Sequence, residues 1–222
     1  MKARFLRILA GFGLVSAVVL SQTMASYGQG VPSADLRKIS GKATIEIKTS
    51  AGDIEVEVDG DSAPITSGNF VDLAERGFYN NLTFHRVEPG FVIQGGDPNG
   101  NGTGGFIDPK TRQERVIPLE IRTTNKDGKP GEILYGKTYS RSGLNVRQQP
   151  PVLTHTEGVI AMARSQNPNS ASSQFYITLS ATPPLNGEYA VFGKVTKGMD
   201  VVKRIKLGDK IVSVKVLSKP KS

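Results

Sequence analysis

The chain has no cysteine and no tryptophan, and its only imidazole groups are two histidines. The absence of cysteine excludes disulfide bonds and a thioether lipid anchor; it fits an exported protein and equally one that never needed disulfides. His155 has no Cys, Glu or His partner at metal-binding spacing, and no G-x-S-x-G nucleophile elbow occurs. We therefore expect no metal site and no serine hydrolase chemistry.

No apolar run reaches the roughly 20 residues that a membrane-spanning helix requires. The run from Ile8 to Leu20 follows three basic residues and is followed by small or polar residues up to Ala25. This order is typical of a secretory signal peptide. We predict a signal peptide over residues 1–25 and export to a periplasm or another extracytoplasmic compartment such as a lumen. After cleavage no stable membrane span would remain; an uncleaved membrane anchor is the alternative.

Composition favours a soluble, β-rich protein. The sequence is 37% hydrophobic and contains 25 glycines and 13 prolines, which indicates many turns. Its formal charge of +8 includes three cations of the predicted signal peptide. The other basic residues are interspersed with acids and lack interleaved aromatic residues, so they predict a solvated surface and no nucleic-acid partner.

Residues 26–42 are polar and predict a linker before a folded domain at 43–218. Alternating apolar residues predict strands near both ends of this domain, in "ATIEIKT", "DIEVEVD" and "KIVSVKVL". Terminal strands at both ends suggest a sheet that closes on itself. Two short helices are predicted, in "PITSGNFVDLAERG" and "GMDVVKRIKLG". Residues 107–157 are predicted to be a loop-rich excursion.

The stretch "QGGDPNGNGTGGF", residues 94–106, has three interpretations. Gly100, Gly102 and Gly105 spell G-x-G-x-x-G, but "FIDPKT" follows them without the helix that a dinucleotide site requires. The spacing also approaches a calcium loop, yet Asp108 replaces the bidentate Glu and an apolar strand precedes the loop. In the remaining interpretation, the glycines allow tight turns and close backbone approaches beside a site just upstream. Weak, fortuitous calcium binding stays open as an alternative.

Three segments carry a family resemblance: "FHRVEPGFVIQGGDPNGNGTGG", "GVIAMARSQNPNSASSQFYI" and "PLNGEYAVFGKVTKGMDVV". In this order they resemble the signature segments of the cyclophilins, a family of peptidyl-prolyl cis/trans isomerases, from about residue 43 to 217. The resemblance implies a mainly β fold, a closed eight-stranded antiparallel β-barrel capped by two short α-helices. It also implies a monomer that acts on unfolded or flexible proline-containing polypeptides without a cofactor.

The resemblance also implies the site residues. Arg86 and Gln94 would be catalytic, and the substrate-binding residues would be Phe91, Val92, Gly102, Ala163, Arg164, Gln174, Tyr176, Leu185 and Tyr189. Twisting an amide localises the lone pair of its nitrogen, so a permanently charged guanidinium aimed at that nitrogen would stabilise the twisted state selectively. Neighbours in a strand point to opposite faces, so His85 is expected to be buried and hydrogen-bonded rather than catalytic.

Several positions depart from the better-known eukaryotic pattern. Val92 stands where Met is common, Arg164 where Asn is usual, Tyr189 where many members have His, and Pro184 where Trp is frequent. Without an indole N–H and its apolar face, we expect weak cyclosporin binding. The alternative function is a binding module or chaperone that keeps the fold but has little turnover.

Overall fold

The structure, a computed structural model, describes residues 36–219. The predicted signal peptide lies outside the described residues, as does most of the predicted linker. The last residues of that linker pack on the domain: Ile39 is 8% exposed and belongs to the main core. Its N–H also donates to the carbonyl oxygen of Pro64, at 3.2 Å. None of the helices between residues 36 and 219 is long and apolar enough to cross a membrane.

Strands dominate the described chain. They are Lys42–Thr49 (β1), Gly52–Asp59 (β2), Arg86–Glu88 (β3), Val92–Gly95 (β4), Glu120–Thr124 (β5), Pro130–Tyr135 (β6), Val159–Met162 (β7), Phe175–Thr178 (β8), Val191–Lys197 (β9) and Ile211–Ser218 (β10). Eight of them form one antiparallel sheet in the order β10-β1-β2-β9-β7-β8-β4-β3, and β5 pairs with β6. Alternate residues of β1 and β2 are buried, so the strands predicted from period-two alternation are confirmed.

The predicted closed barrel is wrong, because the large sheet is open between its edge strands β10 and β3. β3 has only three residues and is followed by Pro89, which has no N–H to donate to a ladder. The two edges approach through residues 81–84, which exchange four backbone hydrogen bonds with residues 208–211. Only one isolated bridge, between Thr83 and Lys210, forms there. The fold is therefore mainly β, with a curled eight-stranded sheet.

Helices are few and short in the described residues. They are Pro64–Glu75 (α1), Tyr139–Ser142 (α2) and Met199–Val202 (α3), with a 3-10 turn at Pro183–Leu185. The first predicted helix is confirmed. The second is shorter than predicted, because regular helix ends at Val202 and a turn covers Lys203 and Arg204; Ile205, which follows them, is still buried. Residues 36–219 therefore contain one α-helix more than the two predicted.

One main core lies between α1 and the large sheet. Its centre is aromatic: Phe70 of α1 packs against Tyr79, Phe175 and Phe192 with ring centroids 5.0 to 5.3 Å apart. Edge-to-face and tilted pairs of this kind stabilise a core beyond their buried area. α1 approaches the chain closely at Gly68, where a Cβ would lie 2.1 Å from the carbonyl oxygen of Arg37.

The excursion at 107–157 is more ordered than predicted. It contains the β5–β6 hairpin and α2, which enclose a small apolar cluster of Leu119, Ile121, Tyr139 and Ala190. The turn predicted in "NKDGKPGE" connects the two strands of this hairpin. α2 is tied to the chain that follows the 3-10 turn, because the N–H of Tyr139 donates to Gly187 O at 2.8 Å. The excursion thus supports the segment that carries Leu185 and Tyr189.

Candidate active site

Arg86 and Gln94 face each other across the antiparallel pair β3–β4. Directly opposed residues of such a pair project from the same face of the sheet. The Arg86 guanidinium donates from Nη1 to Gln94 Oε1 at 3.4 Å. Gln94 Nε2 donates in turn to Gln174 Oε1 at 2.9 Å, and Gln174 Nε2 donates to Gly104 O at 2.8 Å. A chain of two amides therefore fixes the side chain of Gln94 beside Arg86.

The Arg86 guanidinium lies at the rim of the site rather than in its interior. Its side chain is 47% exposed, and its Nε lies 3.4 Å from Glu88 Oε1. Its Cζ lies 5.9 Å from the centroid of the Phe91 ring. Contacts of this length are weak, because both hydrogen bonds are at the long end of the range. The guanidinium can therefore exchange them for a bound peptide at little cost.

An apolar slot adjoins this arginine. One depression of about 390 Å³ is lined by nine of the eleven predicted site residues, namely Arg86, Phe91, Val92, Gln94, Ala163, Arg164, Tyr176, Leu185 and Tyr189. Val92 and Tyr176 form part of a small apolar cluster separate from the main core. We name this depression the proline slot, after the residue that the sequence predicts it to hold; its wall combines the apolar side chains of Phe91, Val92 and Leu185 with the polar side chains of Arg86, Gln94 and Arg164.

The two remaining predicted residues, Gly102 and Gln174, line a neighbouring depression of about 300 Å³. It shares Gln94, Ala163 and Arg164 with the proline slot. Glu114 also lines it, and burial raises the pKa of this carboxyl. The structure therefore brings all eleven predicted residues to two connected depressions.

The glycine-rich loop is organised around Asp97, which is 1% exposed. Its carboxylate accepts the backbone N–H groups of Asn99, Asn101, Gly102 and Gly104. Burial opposes ionisation, but these donors outweigh it and hold the pKa of Asp97 below its usual value. The loop follows β4 and is not followed by a helix, so it has neither the dinucleotide nor the EF-hand context. Its glycines therefore allow the backbone turns of the loop.

A buried polar group behind the slot was missed from the sequence. His155 is 2% exposed, and its Nε2 lies 2.8 Å from the Tyr176 hydroxyl. Its Nδ1 lies 3.1 Å from Asn186 Oδ1, an acceptor that also takes the backbone N–H of His155. Burial lowers the pKa of His155 to about 4. The neutral imidazole therefore accepts from Tyr176, whose ring forms part of the slot wall.

His85 differs from its expected environment. Its ring is only half-buried, and within residues 36–219 neither ring nitrogen has a hydrogen-bond partner of ordinary geometry. Burial lowers the pKa of His85, so the neutral form is favoured. Arg86 beside it is exposed, as alternation along the chain predicts. Both ring nitrogens are buried as expected, whereas the expected hydrogen bonds are not found in the described residues. In the part of the chain that the structure describes, no cluster of three or more His, Cys, Asp or Glu residues could hold a metal.

The fold and the site together define a mainly β protein in which the polar side chains of Arg86, Gln94 and Arg164 line the same depression as the apolar side chains of Phe91, Val92 and Leu185. A family model described as cyclophilin type peptidyl-prolyl cis-trans isomerase matches residues 44–221. The chain belongs to this family.

Related proteins agree with this assignment. The chain is 42% identical over 193 residues to a protein of Synechocystis named as a thylakoid lumen peptidyl-prolyl cis-trans isomerase, covering 83% of this chain and 49% of the relative. It is 38% identical over 196 residues to a chloroplast peptidyl-prolyl cis-trans isomerase of Arabidopsis thaliana, covering 81% of this chain and 43% of the relative. The chain therefore spans about half the length of these two relatives. A peptidyl-prolyl cis-trans isomerase-like protein of Rhizopus delemar is 37% identical, with 76% of this chain and 83% of that protein covered.

Solved structures show the same fold. A cyclophilin-type isomerase of Cryptosporidium parvum matches with a TM-score of 0.60 and 29% identity, covering 81% of this chain and 99% of the other. A second crystal structure, of the same Cryptosporidium protein in the presence of the dipeptide Ala-Pro, matches with a TM-score of 0.60, covering 79% of this chain and 99% of the other.

Proposed function

We propose that this protein catalyses cis/trans isomerisation of X-Pro bonds in unfolded or flexible polypeptides. One observation carries the proposal: Arg86 and Gln94 contact each other and line the same depression as the apolar side chains of Phe91, Val92 and Leu185. The family membership and the names of the relatives support the same activity. The reaction requires no cofactor, because no covalent bond is broken.

The energetic demand is set by the peptide bond. Rotation about it meets a barrier of about 18–20 kcal/mol, because resonance is lost when the amide leaves planarity. An acceleration of about 10⁵ requires roughly 7 kcal/mol of stabilisation that acts on the twisted state and not on the planar one. Twisting places a lone pair on the proline nitrogen, so a donor near that nitrogen meets this requirement.

The roles of the site residues follow from their positions. Phe91, Val92 and Leu185 would hold the pyrrolidine ring by apolar contact, while Gln94 would hold a carbonyl or N–H of the substrate backbone. Arg86 would donate to the proline nitrogen as its lone pair forms. Its guanidinium suits this task because it stays charged and presents several donors in one plane.

We also propose that the protein is a monomer in an extracytoplasmic compartment and assists the folding of exported proteins. Two relatives named for the thylakoid lumen and the chloroplast support such a location. The sequence pattern of residues 1–25 supports export by a signal peptide. N-terminal sequencing of the exported protein would test this: a start near Ser26 supports it, and an intact Met1 in the membrane fraction contradicts it.

Cyclosporin is expected to bind weakly. Pro184 lies exposed on the 3-10 turn next to Leu185 of the slot, and it supplies neither an N–H donor nor a large apolar face. Pro184→Trp should therefore lower the inhibition constant for cyclosporin. Nanomolar inhibition of the unmodified protein would contradict this proposal.

A peptide assay tests the activity. The purified protein should accelerate cis-to-trans conversion of an Ala-Pro peptide in proportion to enzyme concentration, measured with a conformer-specific protease or by NMR exchange. Tight peptide binding without acceleration would instead support the binding-module alternative.

A further inference from the structure

A third depression, distinct from the one that contains Gly102 and Gln174, lies beside the proline slot and shares Arg164 and Tyr189 with it. We name it the polar basin; its volume is about 610 Å³, and its wall includes Thr138, Ser140, Arg141, Arg164, Glu188 and Tyr189. A peptide advances about 3.3 Å per extended residue, so residues close to a bound proline can reach a depression that shares a wall with the slot. The basin is therefore available to the substrate itself.

The Arg164 guanidinium is held rigidly between the slot and the basin. Nε and Nη2 donate to Glu188 O at 3.1 and 2.7 Å, and Nη1 donates to Ser165 O at 2.8 Å. Its Cζ lies 4.5 Å from the centroid of the Tyr189 ring. A guanidinium has five N–H bonds, so these three contacts leave two unused, one on each terminal nitrogen. The group is preorganised and still has donors for a ligand.

Arg141 enters the same basin from the excursion. Its backbone N–H donates to the side chain of Thr138 at 3.3 Å, which caps the short helix α2. α2 is anchored by the bond from Tyr139 to Gly187, where the two segments pack so tightly that a Cβ on Gly187 would lie 2.6 Å from the Tyr139 ring. The excursion thereby places a second arginine, with an exposed side chain, on the wall that carries Tyr189.

The charges in the basin do not balance. Two guanidinium groups line it, against one carboxylate, that of Glu188. Glu188 Oε1 accepts the backbone N–H of Ser140 at 3.3 Å, and between residues 36 and 219 neither Arg141 nor Arg164 forms an ion pair. The basin therefore carries a net positive charge, with donors that match a planar carboxylate.

We propose that the polar basin binds an acidic side chain of the substrate, so that X-Pro bonds with Asp or Glu within about two residues of the proline are preferred. Arg141 and Arg164 are its specificity-determining residues. The proposal rests on the proposed isomerase function and adds a substrate class to it.

Matched peptides test the preference. Each contains one Ala-Pro bond and carries Glu, Gln or Lys at one of the two positions on either side. At one or more positions the Glu peptide should be turned over about two- to fivefold faster than its Gln counterpart at low salt, and the Lys peptide more slowly. The difference should shrink towards unity at high salt, because screening weakens exposed charge pairs.

Charge variants identify the groups responsible. Arg141→Gln should lower the Glu-to-Gln ratio, and Arg141→Gln combined with Arg164→Gln should bring it close to one. Arg204→Gln is the matched control: it removes one exposed positive charge outside the basin and should leave both the ratio and the turnover of the Gln peptide unchanged.

The outcomes separate this inference from the proposed function. Turnover of the Gln peptide measures the isomerase activity, whereas the ratio measures the basin. A ratio near one at all four positions, or a preference that survives the double substitution, would overturn the inference and leave the activity standing. If no peptide is turned over, calorimetry measures binding of the same peptides. Equal affinity for the Glu and Gln peptides would overturn the inference. Tighter binding of the Glu peptide, lost in the double variant, would support it.

Discussion

At the scale of single residues, the buried pair of His155 and Tyr176 links the site to pH. Asn186 Oδ1 can only accept, so His155 Nδ1 carries the ring proton and Nε2 accepts from the Tyr176 hydroxyl. Protonation of Nε2 would remove that acceptor inside an apolar environment. Burial, which disfavours the charged imidazolium, lowers the pKa of His155 to about 4.

We therefore predict that the free energy of unfolding falls as the pH drops from about 6.5, the usual pKa of histidine, to about 4, the pKa of His155 in the folded protein. The sign follows because the unfolded chain binds a proton over this range while the folded chain does not. The loss should reach about 3 kcal/mol. Urea unfolding at a series of pH values would measure it.

Two variants isolate His155 from His85, whose pKa is lowered in the same direction. His155→Leu should flatten much of the pH dependence, and should itself cost about 1–3 kcal/mol because the buried Tyr176 hydroxyl loses its partner. Adding Tyr176→Phe should recover part of that cost. Additive effects in this double-mutant cycle would show that the two side chains do not interact as described.

At the scale of elements, Glu120 of β5 joins the excursion to the main domain. The side chain is 1% exposed and accepts the backbone N–H groups of Ile65 and Thr66 at 3.0 and 2.6 Å. These are orphan donors of the first turn of α1, whose N-cap, Ala63, has no side-chain acceptor. A residue distant in sequence therefore caps this helix.

Glu120→Ala should lower the free energy of unfolding by about 1–3 kcal/mol, because it leaves two buried N–H groups without acceptors. The matched control is Glu132→Ala, at an exposed position of the same hairpin, which should change it by less than about 0.5 kcal/mol. Urea unfolding of both variants checks the difference. Equal effects would mean that the cap does not stabilise the helix.

The elements differ in how well the sequence predicts them. β1 and β2 are predictable because one face of each is buried and the apolar residues alternate. β10 is found where its alternation predicts a strand, but its burial does not alternate, since Val212 is 50% exposed. β5 and β6 are not, because they pair only with each other in a small sheet and their register is interrupted between Arg122 and Thr124. The length of α3 is overpredicted because the buried Ile205 continues the apolar spacing of a helix, although the regular helix ends at Val202.

At the scale of the whole molecule, the structure of the glycine-rich loop predicts that thermal stability does not depend on added calcium or nucleotides. The oxygens of Asp97 already accept backbone donors and face inwards, so they are poorly placed to bind calcium. We predict that neither calcium, chelator nor nicotinamide or flavin nucleotides change the Tm, since a ligand of the folded state would raise it. A dose-dependent rise with calcium or a nucleotide would revive one of the rejected interpretations of the loop.

The site is more predictable than the overall closure of the sheet. Nine predicted residues line one depression because they belong to three motifs that the sheet brings together. Strands at both ends of the domain predict closure, but alternation within a strand does not determine whether its edge pairs; in the described residues the two edges share only the isolated bridge between Thr83 and Lys210. His155 and Asn186 were missed because their partnership joins residues 31 apart in sequence, without a motif.

Arg86 provides the most direct test of the central claim. If its guanidinium stabilises the twisted amide, Arg86→Ala should lower kcat/KM by about 10²–10³, which corresponds to roughly 3–4 kcal/mol of transition-state stabilisation. Peptide affinity should change much less, because the apolar wall of the slot remains. Arg86→Lys should recover only part of the rate, since an ammonium lacks the planar fork.

The decisive measurement is kcat/KM of Arg86→Ala on an Ala-Pro peptide, with thermal unfolding recorded in parallel and Arg204→Ala as a control for lost positive charge. The account predicts a folded Arg86→Ala protein that binds the peptide but has a kcat/KM lowered by about 10²–10³, while the control keeps its full rate. A folded Arg86→Ala protein with undiminished kcat/KM would contradict it.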